Sequence, residues 1–273
     1  MVPASESLAS ADRPNMKPAV CRLELFAVSG LPLIEPGVDL AATIINALGE
    51  AGEDLRAGDI VIVAQKIVSK SENRYVVLSD VKPSQAARSL AQEVEKDPRL
   101  VELILRESRE VLRRKPGVIV VEHRLGFILA NAGIDASNVA PEGGEQRVLL
   151  LPLSPDGSAA ELRRRLEARY GGPIGVIVND SVGRAWRNGA VGTCLGSAGV
   201  PALTDLRGNA DLFGRPLLVS TVGLSDELSA AASLLQGQGS EGRPVVVARG
   251  YDWQPGDQTG RDLMRSSDED MFR

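Results

Sequence analysis

The sequence has very little of two residue types on which many metal and catalytic sites depend. Among its 273 residues are two cysteines, Cys21 and Cys194, and one histidine, His123. Two cysteines do not make a disulfide framework, and no Cys/His spacing indicates a zinc site. A single histidine makes a metal site with several histidine ligands impossible and allows at most one Ser-His-Asp triad. These counts argue against both kinds of chemistry.

Long apolar runs, a signal sequence and an excess of basic residues are missing as well. No apolar run approaches membrane-spanning length, and residues 1–19 lack the apolar segment of a signal peptide. The formal net charge is −5, which argues against a nucleic-acid surface because such a surface normally needs a basic balance. We therefore expect a protein of the reducing cytoplasm with no nucleic-acid partner and no membrane partner.

What remains is typical of a soluble globular protein, with 43% hydrophobic and 25% charged residues. Aromatic residues make up only 3%, so the core must be built from Val, Leu, Ile and Ala. Segments with strand and helix patterns succeed one another, and no G-x-G-x-x-G follows the first strand. We predict an α/β fold with a mixed sheet of non-Rossmann type. Residues 1–20 are predicted to be a disordered leader, and residues 251–273 a polar tail.

Two local predictions can be checked directly against a structure. The apolar spacing of residues 84–95 and 99–113 predicts two helices, of which the second ends in a solvated basic run, Arg113-Arg114-Lys115. Residues 191–200 are rich in Gly and Ala, which suits close packing of backbone against backbone or ligand.

The segment of residues 174–190, IGVIVNDSVGRAWRNGA, has the pattern of a ligand site. Its first five residues predict a buried strand, after which Asp180 and Ser181 open a loop rich in Gly and Arg. Ligands gather beyond the carboxyl ends of strands in open α/β sheets, and Mg²⁺ binds carboxylates together with nucleotide phosphates. Arg184 and Arg187 could face the anion. The alternative is a solvated turn in which Asp180 only caps a helix.

A second carboxylate, Asp135, follows another predicted strand pair in the same way. It lies in the polar loop of residues 131–138, where Asn138 can face the same direction. The alternative for Asp135 is an Asx-turn. Two such aspartates could bridge cations around a triphosphate.

Two further features could contact phosphate. Lys66 and Lys70 follow the predicted strand of residues 60–64 and lie one helical turn apart, although solvated lysines are the alternative. The glycine-rich run of residues 236–242 follows a predicted helix and could turn backbone N–H groups toward an anion. Its alternative is a flexible turn.

Eight sequence blocks occur in order between residues 22 and 250: GLPLIEPG (30–37), GDIVIVAQKIVSK (58–70), DPRLVELILRES (97–108), GFILANAGIDASNV (126–139), NDSVGRAWRNGA (179–190), DLFGR (211–215), SDELSAAASLLQGQ (225–238) and VARG (247–250). Together they resemble the coenzyme F-420-0:L-glutamate ligases, which are GTP-dependent enzymes that build the γ-linked glutamate tail of a deazaflavin coenzyme. The resemblance implies a γ-glutamyl ligase domain over residues 21–250, with two subdomains that form one active site.

The resemblance also implies the activity and the partners. L-Glutamate would be added to F-420-0 through an acyl-phosphate intermediate, with GTP as co-substrate, two divalent cations (Mg²⁺ or Mn²⁺) and K⁺ as a further cation. The protein would be a homodimer. The residues by themselves leave two alternatives open: a metal-dependent nucleotide phosphohydrolase, and a non-catalytic module that binds a nucleotide or a deazaflavin.

Residue roles follow from the matched motifs. The cation ligands implied are Asp135, Asp180, Ser181 and Gln238, where Ser181 replaces the Thr of many members and keeps the hydroxyl. The catalytic group comprises Asp135, Asp180, Lys70 and, by our own hypothesis from its place beside Asp180, Arg187. The GTP contacts implied are Leu31, Pro32, Leu33, Ile34, Gln65, Lys70, Asn138, Gln236, Gly237, Gln238, Gly239, Ser240, Glu241, Gly242 and Arg243.

Overall fold

The computed structural model describes residues 20–141 and 143–272. All but the last residue of the predicted leader lies outside these ranges. The helices are α1 Leu40–Glu50, α2 Gln65–Ser71, α3 Gln85–Val94, α4 Pro98–Arg106, α5 Pro155–Tyr170 and α6 Leu224–Gln236. The strands are β1 Glu24–Val28, β2 Ile60–Ala64, β3 Tyr75–Val77, β4 Ser108–Lys115, β5 Val118–His123, β6 Ile128–Ala130, β7 Arg147–Leu149, β8 Gly175–Arg184, β9 Arg187–Ala198, β10 Thr204–Asp205, β11 Thr221–Val222 and β12 Val245–Arg249.

The central sheet has five strands in the order β1-β12-β2-β8-β9. β2 and β8 run parallel, whereas the other neighbours are antiparallel. The predicted mixed sheet of an α/β protein is therefore confirmed. Because β2 and β8 are parallel, their carboxyl ends meet at the same edge of the sheet.

Both faces of this sheet are covered, as the unbroken apolar run of β2 requires. Val61 and Val63 point to a cluster that includes residues of α1 and α5. Ile60 and Ile62 point to the opposite cluster, which includes residues of α6. Alternate side chains of one strand thus enter two different cores.

Two glycines of β9 allow the helices to approach this closely. A Cβ atom on Gly192 would collide with the carbonyl oxygen of Ser229 in α6, and one on Gly196 would collide with the backbone of Pro155 in α5. The prediction that residues 191–200 pack closely against other backbone is confirmed.

A separate apolar cluster lies between the helix pair α3–α4 and the sheet β4-β5-β6. The predicted second helix of residues 99–113 is too long, because α4 ends at Arg106 and β4 starts at Ser108. The basic run 113–115 is accordingly on a strand and not at a helix end. It pairs with the strongly apolar β5, and this pairing outweighs the local helical spacing.

The predicted loop after Asp180 is instead a long β-hairpin. β8 does not stop at Asp180 but continues to Arg184, and β9 returns from Arg187. The tip is tight: Arg184 pairs with Arg187, and Trp186 between them has a positive φ of 63°. The residues of β8 after Asp180 pair with β9 across the hairpin. The apolar pattern of β8 alone does not predict this pairing.

The polar tail is tied to the rest of the fold, and its Trp253 and Leu263 pack against the apolar cluster on the α6 side of the central sheet. Nε1 of Trp253 donates to the carbonyl oxygen of Gly58 at 2.8 Å, and the backbone N–H of Gly260 donates to Oδ1 of Asp156 at 2.7 Å. Across the two described ranges, no helix combines the length and the apolar character needed to cross a membrane.

Candidate functional site

A cleft of about 890 Å³ opens where the end of β2 and residues 179–181 in the middle of β8 meet the loops that follow β6 and α6. Four sets of predicted residues line it together. These are Leu31, Pro32, Leu33 and Ile34; Gln65 and Lys70; Asp135, Asn138, Asp180 and Ser181; and Gln236, Gly237, Gln238, Gly239, Ser240, Gly242 and Arg243. Residues separated by more than 200 positions in the sequence therefore share one cavity.

The parallel strand pair explains this convergence. Ala64 at the end of β2 pairs with Asn179 in β8, so α2 begins with Gln65 beside the position of Asp180. The sheet thus carries α2 and Asp180 to one edge, as the sequence predicted for ligand-binding groups in an α/β sheet.

Asp135 is held by both its backbone and its side chain. Its backbone N–H and carbonyl oxygen both pair with Leu149, at 2.9 and 2.8 Å. Oδ1 accepts hydrogen bonds from the backbone N–H and the hydroxyl of Ser137, each at 2.7 Å, and Oδ2 lies 2.6 Å from Nζ of Lys66. The Asx-turn alternative is therefore present, and the carboxylate lines the cleft as well.

The electrostatic states of the two aspartates differ. Burial raises the pKa of Asp135, but hydrogen bonds from Lys66 and Ser137 outweigh it and hold that pKa below its usual value. For Asp180, burial and the charge of Asp135 raise the pKa to about 7, against the opposing effects of the Ser181 backbone N–H, Lys66 and Gln65. A cation beside Asp180 would reverse this shift, because it favours the ionised carboxylate.

Among the described residues, two buried donors at the cleft lack an acceptor. Gln65 accepts a hydrogen bond from the Ser69 hydroxyl at 2.8 Å through Oε1, which leaves its amide nitrogen on the side of Asp180, whose pKa it lowers. Neither Nε2 of Gln65 nor Nε of Arg243 has a hydrogen-bond partner within the described part of the chain. Because buried donors are normally satisfied, both atoms indicate a ligand that brings acceptors.

Hydrogen bonds join the two loops that face each other across the cleft. Nδ2 of Asn138 donates to the carbonyl oxygen of Gly239 at 3.1 Å, and Nζ of Lys70 donates to the carbonyl oxygen of Asn138 at 2.9 Å. Burial lowers the pKa of Lys70, and the positive charge of Lys66 lowers it further. Lys70 therefore supports the loop and lines the cleft at the same time.

Two of the predicted GTP contacts use their side chains for other purposes. The side-chain amide of Gln236 exchanges hydrogen bonds with Asn179, at 2.9 and 3.1 Å. Oε2 of Glu241 accepts from the backbone N–H of Gly239 at 2.8 Å, and backbone N–H groups lower the pKa of this carboxyl. Gln236 can face the cleft through its backbone.

One predicted catalytic residue is not brought to the cleft within this chain. Arg187 is exposed at the tip of the β8–β9 hairpin, together with Arg184. Conversely, Lys66 was predicted only as a phosphate contact or a solvated lysine, and no role was predicted for Asn179. The spacing of Lys66 from Lys70 was a usable signal for a shared helix face, but the ion pair of Lys66 with Asp135 joins residues 69 positions apart.

The donor set is compatible with a hard cation bound together with phosphates. In residues 20–141 and 143–272, no group of three or more His, Cys, Asp and Glu side chains could hold a metal ion. Asp135 and Asp180 offer two carboxylates, Ser181 a hydroxyl and Gln238 an amide oxygen. Mg²⁺ commonly binds one or two carboxylates and takes its other ligands from water and phosphates, so this set fits it.

The fold and the cleft define an α/β protein with a candidate ligand site where the parallel pairing of β2 and β8 ends. The family model described as F420-0:Gamma-glutamyl ligase matches residues 30–250. The chain belongs to this family.

Curated relatives match over most of their length. The chain is 45% identical over 253 residues to the coenzyme F420:L-glutamate ligase of Methanothermobacter thermautotrophicus, covering 92% of this chain and 99% of the relative. It is 43% identical to the protein of the same name from Methanopyrus kandleri, with 92% and 99% covered. For the one from Archaeoglobus fulgidus the identity is 42%, with 92% and 97% covered.

Proposed function

We propose that this protein is a ligase that joins L-glutamate to the deazaflavin acceptor F-420-0 through γ-linked amide bonds. The names of its relatives support the reaction. The observation that carries the proposal is the presence of Asp135 and Asp180 in one cleft, beside lysines and a glycine-rich loop. We further propose the non-Rossmann arrangement that the family resemblance implies, in which two subdomains form one active site.

Amide formation from a carboxylate requires that the carboxylate be activated. We assign this activation to GTP, whose terminal phosphoryl group passes to the acceptor carboxylate to give an acyl phosphate. The amine of glutamate then attacks the acyl carbon, and phosphate leaves. The protein mainly positions groups and neutralises charge in phosphoryl transfer, so no protein nucleophile is needed.

The cation ligands in this proposal are Asp135, Asp180, Ser181 and Gln238. Two divalent cations, Mg²⁺ or Mn²⁺, would supply neutralisation of the phosphate charge, and K⁺ is a further candidate. The raised pKa of Asp180 suits a site that a cation completes. Among the described residues the two aspartates belong to no cluster of three or more metal-binding side chains, which leaves coordination positions for phosphate oxygens.

The chain's own donors hold the phosphates in place. Gln65 Nε2 and Arg243 Nε have no acceptor in the described part of the chain, and phosphate oxygens would provide one. Lys70 faces the same cavity and adds a positive charge. Leu31 to Ile34 form an apolar side of the cleft for the base, and the backbone of residues 236–243 wraps the nucleotide.

Arg187 can act in this scheme if the hairpin reaches a second copy of the chain. Large apolar side chains are exposed at the hairpin and on the loop between β10 and β11: Trp186, Leu212 and Phe213 are 86%, 88% and 78% exposed. Surfaces of this kind often mark protein contacts. We therefore propose a homodimer in which Arg187 approaches the cleft of the partner copy.

The decisive experiment combines the protein with GTP, Mg²⁺ or Mn²⁺, L-glutamate and F-420-0, and weighs the products. A product heavier by glutamate units supports the ligase. Loss of GTP without acceptor or glutamate would favour the metal-dependent phosphohydrolase, and binding without turnover would favour a non-catalytic module.

Asp180→Asn should abolish ligation, whereas Asp252→Asn at an exposed position should not. Normal ligation by Asp180→Asn would refute the role of Asp180.

A further inference from the structure

A second cavity, of about 300 Å³, lies along the free edge of β9; we refer to it as the edge cavity. Thr193 lines it and stands directly opposite Asp180 in the β8–β9 hairpin. Val182 lines it too, and it is two residues beyond Asp180 on the same strand. Side chains two apart share a strand face, so the edge cavity begins next to the carboxylate that lines the main cleft.

The wall of the edge cavity is apolar and well supported. Phe127, Leu129 and Leu195 are buried in one cluster, against which Val182 and Met264 pack. A wall of this composition contributes binding free energy through the apolar surface that a ligand buries. Small charged ligands gain little from it.

Three charged side chains, Asp226, Arg265 and Asp270, also line the edge cavity, and Asp226 is the one that α6 places against β9. Oδ1 of Asp226 accepts a hydrogen bond from the backbone N–H of Cys194 at 2.8 Å, and this contact fixes the side chain. No hydrogen bond reaches Oδ2 from the residues that the structure describes. Asp226 is half-buried, and burial raises its pKa despite the backbone donor. A ligand N–H group would satisfy the second oxygen.

We propose that the edge cavity binds the planar deazaflavin ring of the acceptor, while the acceptor's carboxylate-bearing end passes Thr193 to reach Asp180. This inference rests on the proposed function. The ring system offers two large apolar faces and an imide N–H for Asp226. The two other substrates fit less well. Glutamate is small, so it would leave most of the apolar wall formed by Phe127, Leu129 and Leu195 unburied, and GTP is assigned to the main cleft in the proposed function.

The test varies each substrate separately for two variants that alter the edge cavity. Met264→Trp fills part of the cavity, and we expect it to raise the KM for F-420-0 about tenfold, the equivalent of about 1.4 kcal/mol. The KM values for GTP and glutamate and the kcat at saturation should stay within about twofold. Asp226→Asn keeps an acceptor for Cys194 and should raise the same KM several-fold. Leu153→Trp, at an exposed position outside both cavities, is the matched control.

A binding measurement separates this inference from the proposed function. The probe is the free deazaflavin with its ribityl chain and no phospholactate, and binding is followed by its own fluorescence. It should bind the wild-type protein, compete with F-420-0 but not with GTP, and bind Met264→Trp at least about tenfold more weakly. Binding of the probe by a protein that does not ligate would refute only the proposed function.

Three results would overturn the inference. An increase in the KM for glutamate alone would make the edge cavity the amino-acid site. An increase in the KM for GTP alone would make it a purine site. The third result is that both variants are folded by circular dichroism and keep the wild-type KM values, kcat and probe affinity. This result would show that no substrate enters the edge cavity.

Discussion

Nζ of Lys66 lies 2.6 Å from Oδ2 of Asp135, and this ion pair joins α2 to the loop after β6 at the cleft. Both side chains are about one-quarter exposed. A divalent cation on Asp135 would sit close to the lysine and be repelled by it. Cation binding therefore requires Lys66 to leave the carboxylate, and a nucleotide phosphate in the same cleft would be its natural new partner. We infer that Lys66 couples cation binding to nucleotide binding.

Lys66→Met should tighten the binding of Mn²⁺ in the absence of GTP. Removal of an ion pair of this exposure is worth about 1 kcal/mol, so we expect an affinity increase of about fivefold, measured by calorimetry. The same variant should raise the KM for GTP, because the phosphate loses a positive charge. Lys82→Met, at an exposed position away from the cleft, is the control. Weaker Mn²⁺ binding by Lys66→Met would contradict the competition.

Asp180→Asn should stabilise the protein in the absence of metal, and the gain should depend on pH. The folded-state pKa of about 7 is above the ordinary value of 3.8. The wild-type protein therefore loses stability as the pH rises from about 4 to 7 and levels off above 7, whereas asparagine does not titrate. With chelator present, we expect the variant's advantage to grow between pH 5 and pH 8 to the order of 2 kcal/mol.

Thermal unfolding at the two pH values measures this difference. Added Mn²⁺ should raise the unfolding temperature of the wild-type protein and leave that of Asp180→Asn nearly unchanged, since the variant lacks one carboxylate ligand. An advantage that is the same at pH 5 and pH 8 would show that Asp180 is already ionised in the folded protein at low pH.

Gln236→Ala should reduce stability more than it weakens nucleotide binding. The Gln236 amide satisfies Asn179, which is only 2% exposed, and an orphaned buried amide costs about 1–3 kcal/mol. We expect that loss in urea unfolding, with a KM for GTP that changes less than about threefold. Gln254→Ala, at an exposed position, is the control. A tenfold higher KM without loss of stability would mean that the Gln236 side chain contacts GTP.

The sequence was most informative where local chemistry decides the structure. A helix was predicted over residues 84–95, and α3 spans Gln85–Val94, where the Ser84 side chain accepts from the backbone N–H of Ala87 at 3.2 Å. The grouping of Asp135 with Asp180 followed from the rule that strand ends carry ligand sites, and both line one cleft. Local patterns of this kind need no knowledge of distant partners.

Tertiary pairing accounts for what the sequence did not reveal. The segment of residues 108–115 has helical spacing and becomes a strand because β5 pairs with it. The hairpin tip places Arg187 away from the cleft because β8 extends four residues beyond Asp180. Lys66 contacts Asp135 only because α2 packs beside the loop after β6, which is distant in the sequence. None of these contacts leaves a signal in the residues between the partners.

Gly192→Ala should destabilise the protein, and Gly183→Ala should not. Both glycines lie on the β8–β9 hairpin, but a Cβ atom at position 192 collides with α6 whereas one at position 183 meets no atom within 4 Å. Overpacking of this type costs about 1–3 kcal/mol, and urea unfolding would measure it. Equal stability of the two variants would show that α6 can shift away from the sheet without cost.

Arg187→Ala should impair ligation, and a mixture with Asp180→Asn should recover activity. In a symmetric dimer whose site combines Asp180 of one copy with Arg187 of the other, each mixed dimer contains one intact site and one doubly altered site. Random mixing makes half of the dimers mixed, so the activity should reach about a quarter of the wild-type value. Arg113→Ala, on the exposed edge strand β4, is the control and should ligate normally.

Mixed subunits are prepared by unfolding and refolding together, and light scattering verifies that dimers form. A mixture no more active than Arg187→Ala alone, with dimers present, would exclude action of Arg187 across the interface.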